Sequence, residues 1–177
     1  MPVPKLGPKQ INQLTDWVAN YIAEQRSHFG PAALAIAPEF VKALRPFFPA
    51  DVLAAVRVAR GRAADPPFYS QLEALGIRNA PPFSGMAGIT FQDVIVHVEP
   101  LTKPLLFHEL VHAVQYKHLG LHGFAEYYVR GFLSGGSYEE IPLEKQAYAL
   151  EEQFARNSDG PFSVEQDVIE RMRNGQF

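Results

Sequence analysis

The chain has 177 residues, enough for one domain with a sizeable core, and its 47% hydrophobic, 20% charged balance is that of a folded, soluble protein. A formal net charge of −3 excludes the electrostatic footprint of a general nucleic-acid binder. Zero cysteines exclude disulfides, thiolate nucleophiles, iron–sulfur clusters and Cys-containing zinc sites, so any metal must be held by histidine and carboxylate. Met1–Pro8 carries no apolar leader and no stretch has the length of apolar residues that a membrane span needs. A cytoplasmic protein that engages neither membrane nor nucleic acid is therefore expected, organised as one domain over residues 1–177.

Residues 8–28 place Ile11, Leu14, Val18, Tyr21 and Ile22 at helical spacing, which predicts an amphipathic helix. A short helix over 38–48 ends near Pro49, and Val56–Arg60 alternates like a strand before Gly61. The Pro-rich stretch 61–87 reads as connection. Ile89–Phe91 and Val94–Val98 are β-branched and aromatic runs split by Gln92-Asp93, as in two strands meeting at a tight turn. Helical periodicity then runs from Leu105 to Leu119, with Pro104 suited to the first turn and Gly120 to the stop. A Gly-, Tyr- and Phe-rich region over 120–140 predicts a short helix among loops. Helices over 143–157 and after Ser163, capped by Ser163 with Gln166, complete the chain. The order predicts an α+β fold with helices packed on a small sheet.

The chemistry concentrates in His108-Glu109-Leu110-Val111-His112, an HExxH pattern for which about 0.015 chance matches are expected from this composition. On a helix, His108, His112 and Glu109 fall within about 100° of arc, while Leu106, Phe107, Leu110, Val111 and Val114 share the opposite side. Two imidazoles one turn apart can bind the same ion, and Glu109 beside them can act as general base. The structural alternative is a pair of histidines on a partly buried face.

A catalytic zinc site needs a third protein ligand and an open position. His118 has the offset of the third histidine in HExxHxxGxxH, but Gln115 replaces that pattern's turning glycine. On a continuing helix His118 is about 120° around and about 9 Å along from His112, too far to share an ion. Glu144 is the leading candidate, in the first turn of a later helix whose same face carries Tyr148 and Glu151. Glu140 is second. Ala147 and Ala155 would let that helix approach the HExxH helix closely. In the alternative reading Glu144 only complements the helix dipole. Tyr148 leads as the group that stabilises developing negative charge on the substrate oxygen, followed by Tyr138 and His122. His28 and His97 read as structural.

His108–Gln115, followed by Leu119-Gly120, Tyr138, Ile141-Pro142-Leu143-Glu144 and Ala147-Tyr148, resembles small gluzincin-type zinc metallopeptidases, including core-domain proteins associated with extracellular contractile injection systems. The resemblance spans about residues 51–155. It implies a zincin-like fold with zinc (Zn2+) held by His108, His112 and Glu144, Glu109 as general base, and the 89–98 hairpin aligning an extended peptide. Four residues after Glu144 the thermolysin-like pattern has an Asp that orients a zinc histidine. Tyr148 stands there in this chain, so Glu151 or another carboxylate must serve. The expected activity is zinc-dependent hydrolysis of peptide bonds, with peptide or protein as substrate. The competing expectation is a metal-stabilised binding or assembly module without turnover. With little chain beyond the core, a deep specificity pocket would require a partner protein or the substrate itself.

Overall fold

A computed structural model of the protein describes residues 5–98, 100–157 and 160–177. The first four residues of the segment read as lacking a leader lie outside them. In chain order the elements are α1 (Pro8–Phe29), β1 (Leu34–Ala35), α2 (Pro38–Leu44), α3 (Ala50–Ala55), β2 (Arg57–Arg60), α4 (Tyr69–Ala74), β3 (Gly88–Phe91), β4 (Val94–His97), α5 (Lys103–Gly135), α6 (Pro142–Arg156) and α7 (Val164–Arg173). This is an α+β architecture, as the sequence predicts. Among the described residues no helix is long and apolar enough to cross a membrane.

The four strands form one mixed sheet in the order β1-β2-β4-β3. β3 and β4 are the expected hairpin, antiparallel with Phe91 opposite Val94. Gln92 turns the chain at φ 60°. β2 lies parallel to β4 and antiparallel to β1, leaving β3 as an edge. Because side chains alternate across a strand, β4 feeds two cores. Ile95 joins Leu44, Phe47, Phe107 and Val111, whereas Val94 and Val96 join Tyr21, Ile22, Phe124 and Leu143.

α5 runs between these cores and packs on β3, α1 and α6. Thr102 caps it, its hydroxyl accepting from the Leu105 N–H at 3.3 Å, with Pro104 in the first turn. Leu106, Phe107, Leu110, Val111 and Val114 are fully buried in the first core, on the predicted arc. Gly120, at φ 70°, ends the first arm. The chain then resumes as a second helical arm to Gly135, where only a short helix among loops is expected. Phe124, Ala125, Val129 and Phe132 supply its buried face in the second core, at helical spacing.

Against α5, α6 buries Leu143, Ala147, Leu150 and Phe154, and the Phe154 ring stacks on Phe107 at 4.5 Å. Ala155, expected at this interface, faces solvent; Leu150 and Phe154 fill the space instead. In α7 the Ser163 hydroxyl accepts from the Gln166 N–H, as its capping role requires. Two six-residue helices, α3 and α4, and the two-residue β1 are additions to the predicted elements.

Candidate metal centre

The HExxH helix and α6 bring three ligand atoms together. His108 Nε2 and His112 Nε2 are 3.2 Å apart, and Glu144 Oε2 is 3.4 Å from the first and 3.3 Å from the second. Bonds of about 2.0–2.1 Å at a tetrahedral angle would set such atoms about 3.3–3.4 Å apart, so the triangle has the dimensions of three ligands on one ion. All three residues are buried, and among the described residues they form the group able to hold a metal. Glu144 Oε2 has no hydrogen-bond partner, although buried carboxylate oxygens are normally paired. Glu140, the second candidate, instead pairs with Lys145 on the surface.

The other imidazole nitrogens explain why the Nε2 atoms face one another. His108 Nδ1 lies 3.0 Å from Glu151 Oε2, which takes the orienting role expected of a carboxylate one turn beyond Tyr148. His112 Nδ1 lies 2.8 Å from Gln115 Oε1. In the tautomer whose Nδ1–H groups both donate outward, both Nε2 lone pairs point at the same spot as Oε2, an arrangement that requires a cation or bound protons between them.

Gln115 extends the support inward. Its Nε2 donates to the Leu143 carbonyl at 3.0 Å and to Gln146 Oε1 at 2.9 Å. Gln146 Nε2 donates to Asp167 Oδ1 at 2.6 Å, and Arg171 Nε donates to the same oxygen at 3.1 Å. A directional chain therefore runs from His112 through α6 to α7. Neither glutamine was singled out as functional from sequence. The usable signal was Gln115 itself, a polar residue three positions after His112 inside an otherwise apolar run.

Glu109 occupies the adjoining position. Its Oε2 is 2.7 Å from the Thr90 hydroxyl on β3, which also lies 2.9 Å from the Glu109 carbonyl. On the other side the carboxylate packs against Gly88, where a Cβ would fall 2.8 Å from Oε1. A glycine is thus required for the carboxylate to sit where it does. Thr90 and Gly88 carry no motif, and twenty-one residues separate Gly88 from Glu109.

Burial pushes the Glu109 carboxyl up from the usual carboxylate range, partly opposed by the two nearby imidazoles and the Thr90 hydrogen bond. For His108, burial disfavours the charged form, but the neighbouring Glu144 and Glu151 carboxylates outweigh it and raise the imidazole to about 10. His112 moves the same way, with burial outweighed by the Glu144 charge. Burial also opposes ionisation of Glu144, yet the two imidazoles hold it down at about 2. The cluster is thus built around positive charge.

Two cavities reach the cluster. An outer groove of about 350 Å³ passes His108, Glu109, Glu151, Tyr148 and Gly88. An inner chamber of about 50 Å³ touches Glu109, His112 and Glu144 and is otherwise walled largely by aromatic and aliphatic side chains. Gly88, Glu109, Met86 and Tyr138 border both. Both cavities are lined by this chain's own residues.

Tyr148 is 48% exposed, its ring 4.6 Å from that of His108 on the groove side. Tyr138 lies between the cavities, its phenol pushed up by burial and then by the Glu144 charge. His118 is outside the cluster, paired with Glu165 of α7 at 2.9 Å, and His122 pairs with Asp16 at the surface. His28 packs on Phe29, and His97 lies on β4 with a buried, unpartnered Nδ1. No protein-family model matches the chain, and no curated protein or solved structure is detectably similar to it.

Proposed function

We propose that the protein is a zinc-dependent hydrolase of peptide bonds with a zincin-like fold, in which His108, His112 and Glu144 hold the metal and Glu109 is the general base. The observation that carries this reading is the triangle of ligand atoms at 3.2, 3.3 and 3.4 Å with an unpartnered carboxylate oxygen at one corner. Two imidazoles and one carboxylate are a common donor set of catalytic zinc and leave a fourth position open. When bound, zinc supplies Lewis-acid polarisation of the scissile carbonyl and lowers the pKa of water at the site.

The chain's own groups would do the rest. Glu109, held by Thr90 and Gly88 beside the triangle, takes the proton of the attacking water and passes it to the departing amine nitrogen. Its raised proton affinity suits it to that shuttle. The edge strand β3 would align the substrate. Val98 N–H donates to the Ala87 carbonyl at 2.9 Å, so the antiparallel alternation turns the main-chain groups of Gly88 and Thr90 away from β4. An extended peptide could pair with Gly88, which borders the groove with Met86 and Ala87. Tyr138, between the cavities beside Glu109, is better placed than half-exposed Tyr148 to donate to the developing oxyanion.

The two cavities also favour turnover over a metal-stabilised module, whose site would be packed shut. Metal content and peptide-library cleavage, read by mass spectrometry for the wild type and Glu109→Gln, test the proposal. Zinc near one equivalent in both, with cleavage lost only in the variant, is the expected result. Zinc in both with no cleavage in either would leave the binding module as the better reading.

A further inference from the structure

A carboxamide presents an acceptor oxygen and a donor NH2 of nearly the same shape, so Gln115 and Gln146, both fully buried, could each be seated in either of two senses. The sense decides whether His112 can bind an ion. With Gln115 Oε1 toward His112, Nδ1 carries the proton and Nε2 keeps its lone pair for the metal. With the amide reversed, Nδ1 would have to accept, and the proton of a neutral imidazole would sit on Nε2, inside the ligand triangle.

Groups with a fixed role decide between the two senses. At the far end of the chain of amides, Asp167 Oδ1 lies 2.6 Å from Gln146 Nε2 and 3.1 Å from Arg171 Nε. A carboxylate only accepts, so a reversed Gln146 would set two oxygens 2.6 Å apart. Gln146 must therefore turn Oε1 inward, Gln115 must answer with Nε2 at 2.9 Å, and Gln115 Oε1 is left for His112. The Leu143 carbonyl, 3.0 Å from Gln115 Nε2, favours the same sense, but it already accepts within α6. The bond to the carboxylate is charge-assisted, roughly twice as strong as one between neutral groups, which makes Asp167 the stronger anchor. α7 in turn holds Asp167 in place. Val164 and Val168 are fully buried in the first core, the Val164 N–H donates to the Phe47 carbonyl at 3.1 Å, and Glu165 pairs with Lys117 and His118 of α5 at 2.8 and 2.9 Å.

We propose that Asp167 is a positioning residue of the metal centre: through Gln146 and Gln115 it fixes the His112 tautomer that offers Nε2 to the ion, which makes α7 part of the site. The inference rests on the metal-binding part of the reading above and is independent of hydrolysis. Loss of an outer partner of a ligating histidine costs about 10- to 100-fold in metal affinity, and Asp167, acting through two amides, belongs at the lower end. Asp167→Leu removes the acceptor and frees Gln146 to reverse. Asp167→Asn keeps an oxygen in the Oδ1 position, held there by Arg171 Nε–H, which only donates, so the sense of both amides should survive.

The test uses the full-length protein in two measurements. Exchange of the His112 Nδ1–H with water is read by nitrogen–proton NMR on the metal-free protein, and zinc affinity by competition with a chromophoric chelator. Asp167→Leu and Asp167→Asn are compared with the wild type and with Val168→Ala, which loosens the packing of α7 without touching the chain of amides; Asp167→Met replaces Asp167→Leu should the latter not fold. The expected result is that Asp167→Leu speeds Nδ1–H exchange at least tenfold and weakens zinc about tenfold, while Asp167→Asn and Val168→Ala stay within about threefold of the wild type in both. The exchange pattern without zinc binding by any form, wild type included, would support the proposal while removing the metal reading. Zinc bound by the wild type, with exchange and affinity unchanged in Asp167→Leu, would overturn the proposal and leave the metal centre standing. Equal losses in Val168→Ala and Asp167→Leu would overturn it as well, because the packing of α7 rather than the sense of the amides would then be responsible.

Discussion

Gln115 carries two separable jobs, and its substitution tests whether the glutamine chain supports the metal centre or merely fills the core. The residue is fully buried, accepts from His112 Nδ1 and donates to the Leu143 carbonyl and Gln146 Oε1. Gln115→Leu keeps the volume but leaves His112 Nδ1 and Gln146 Oε1 unpaired, while the Leu143 carbonyl keeps its bond within α6. Each buried unsatisfied group costs about 1–3 kcal/mol, and with partial relaxation the sum is about 2–5 kcal/mol. That is a large share of the roughly 5–15 kcal/mol by which domains are stable. Zinc affinity should fall about 10- to 100-fold, because His112 loses the partner that fixes its tautomer and ring plane. Gln115→Glu separates the two effects: it still accepts from His112 but can no longer donate to Leu143 and Gln146. Its zinc affinity should therefore stay within a few-fold of wild type, while its stability drops nearly as far as that of the leucine variant. Chemical denaturation of the metal-free proteins and zinc titration against a chromophoric chelator measure the two quantities. If Gln115→Leu binds zinc as tightly as the wild type, the orienting role assigned to Gln115 is wrong.

Gly88→Ala would put a Cβ 2.8 Å from Glu109 Oε1 and 3.0 Å from Leu105 Cδ1, so the carboxylate must retreat by about half an ångström to reach ordinary contact. A misplacement of 1 Å can cost about 100-fold, so kcat should fall about tenfold with zinc stoichiometry unchanged; an unaltered kcat would show that the glycine is not what seats Glu109. For the metal-free protein, His108 is raised above the ordinary imidazole value of 6.5 to about 10. The stability contributed by its protonated form is fully present below pH 6.5 and is lost as pH rises toward 10. Zinc must displace that proton, so calorimetry in buffers of different ionisation enthalpy should record proton release at pH 7.5 and tighter binding at higher pH. Uptake without proton release would contradict the charge state assigned to the imidazole.

The parts of this architecture legible in the sequence are those in which local periodicity and final environment agree. α1 and the β3–β4 hairpin show their patterns because each has an apolar side to bury, and the HExxH arc is a consequence of helical geometry alone. The second arm of α5 is masked by Gly123, Gly131 and Gly135, whose low helix propensity is overridden by the burial of Phe124, Val129 and Phe132. α3, α4 and β1 are too short to show a period. Glu144 could be ranked from its helix position and its family resemblance, and Glu151 from the helical face they share. Gln146, Asp167 and Gly88 could not, since their meaning depends on which distant segments meet: Gln146 lies 31 residues from Gln115 and 21 from Asp167. Ala155 shows the converse error, a small residue read as an interface that instead meets water.

Among the described residues, the buried polar and charged side chains are Thr15, Thr90, His108, Glu109, His112, Gln115, Glu144 and Gln146. All except Thr15 belong to the assembly around the triangle. A core that concentrates its polar burial at one place must balance its charge there, because an unpaired buried ion costs several kcal/mol. With both carboxylates ionised, Glu109 and Glu144 contribute two negative charges. Two protonated imidazoles neutralise them, and so does one divalent cation with both imidazoles neutral. A divalent ion can therefore replace two protons with no change in net charge, whereas a monovalent ion would leave a buried deficit. Nitrogen donors further favour zinc and its transition-metal neighbours over magnesium or calcium. The protonated, metal-free cluster and a metal-loaded one would thus carry the same net charge. Protons would then compete with the metal for the same two imidazoles.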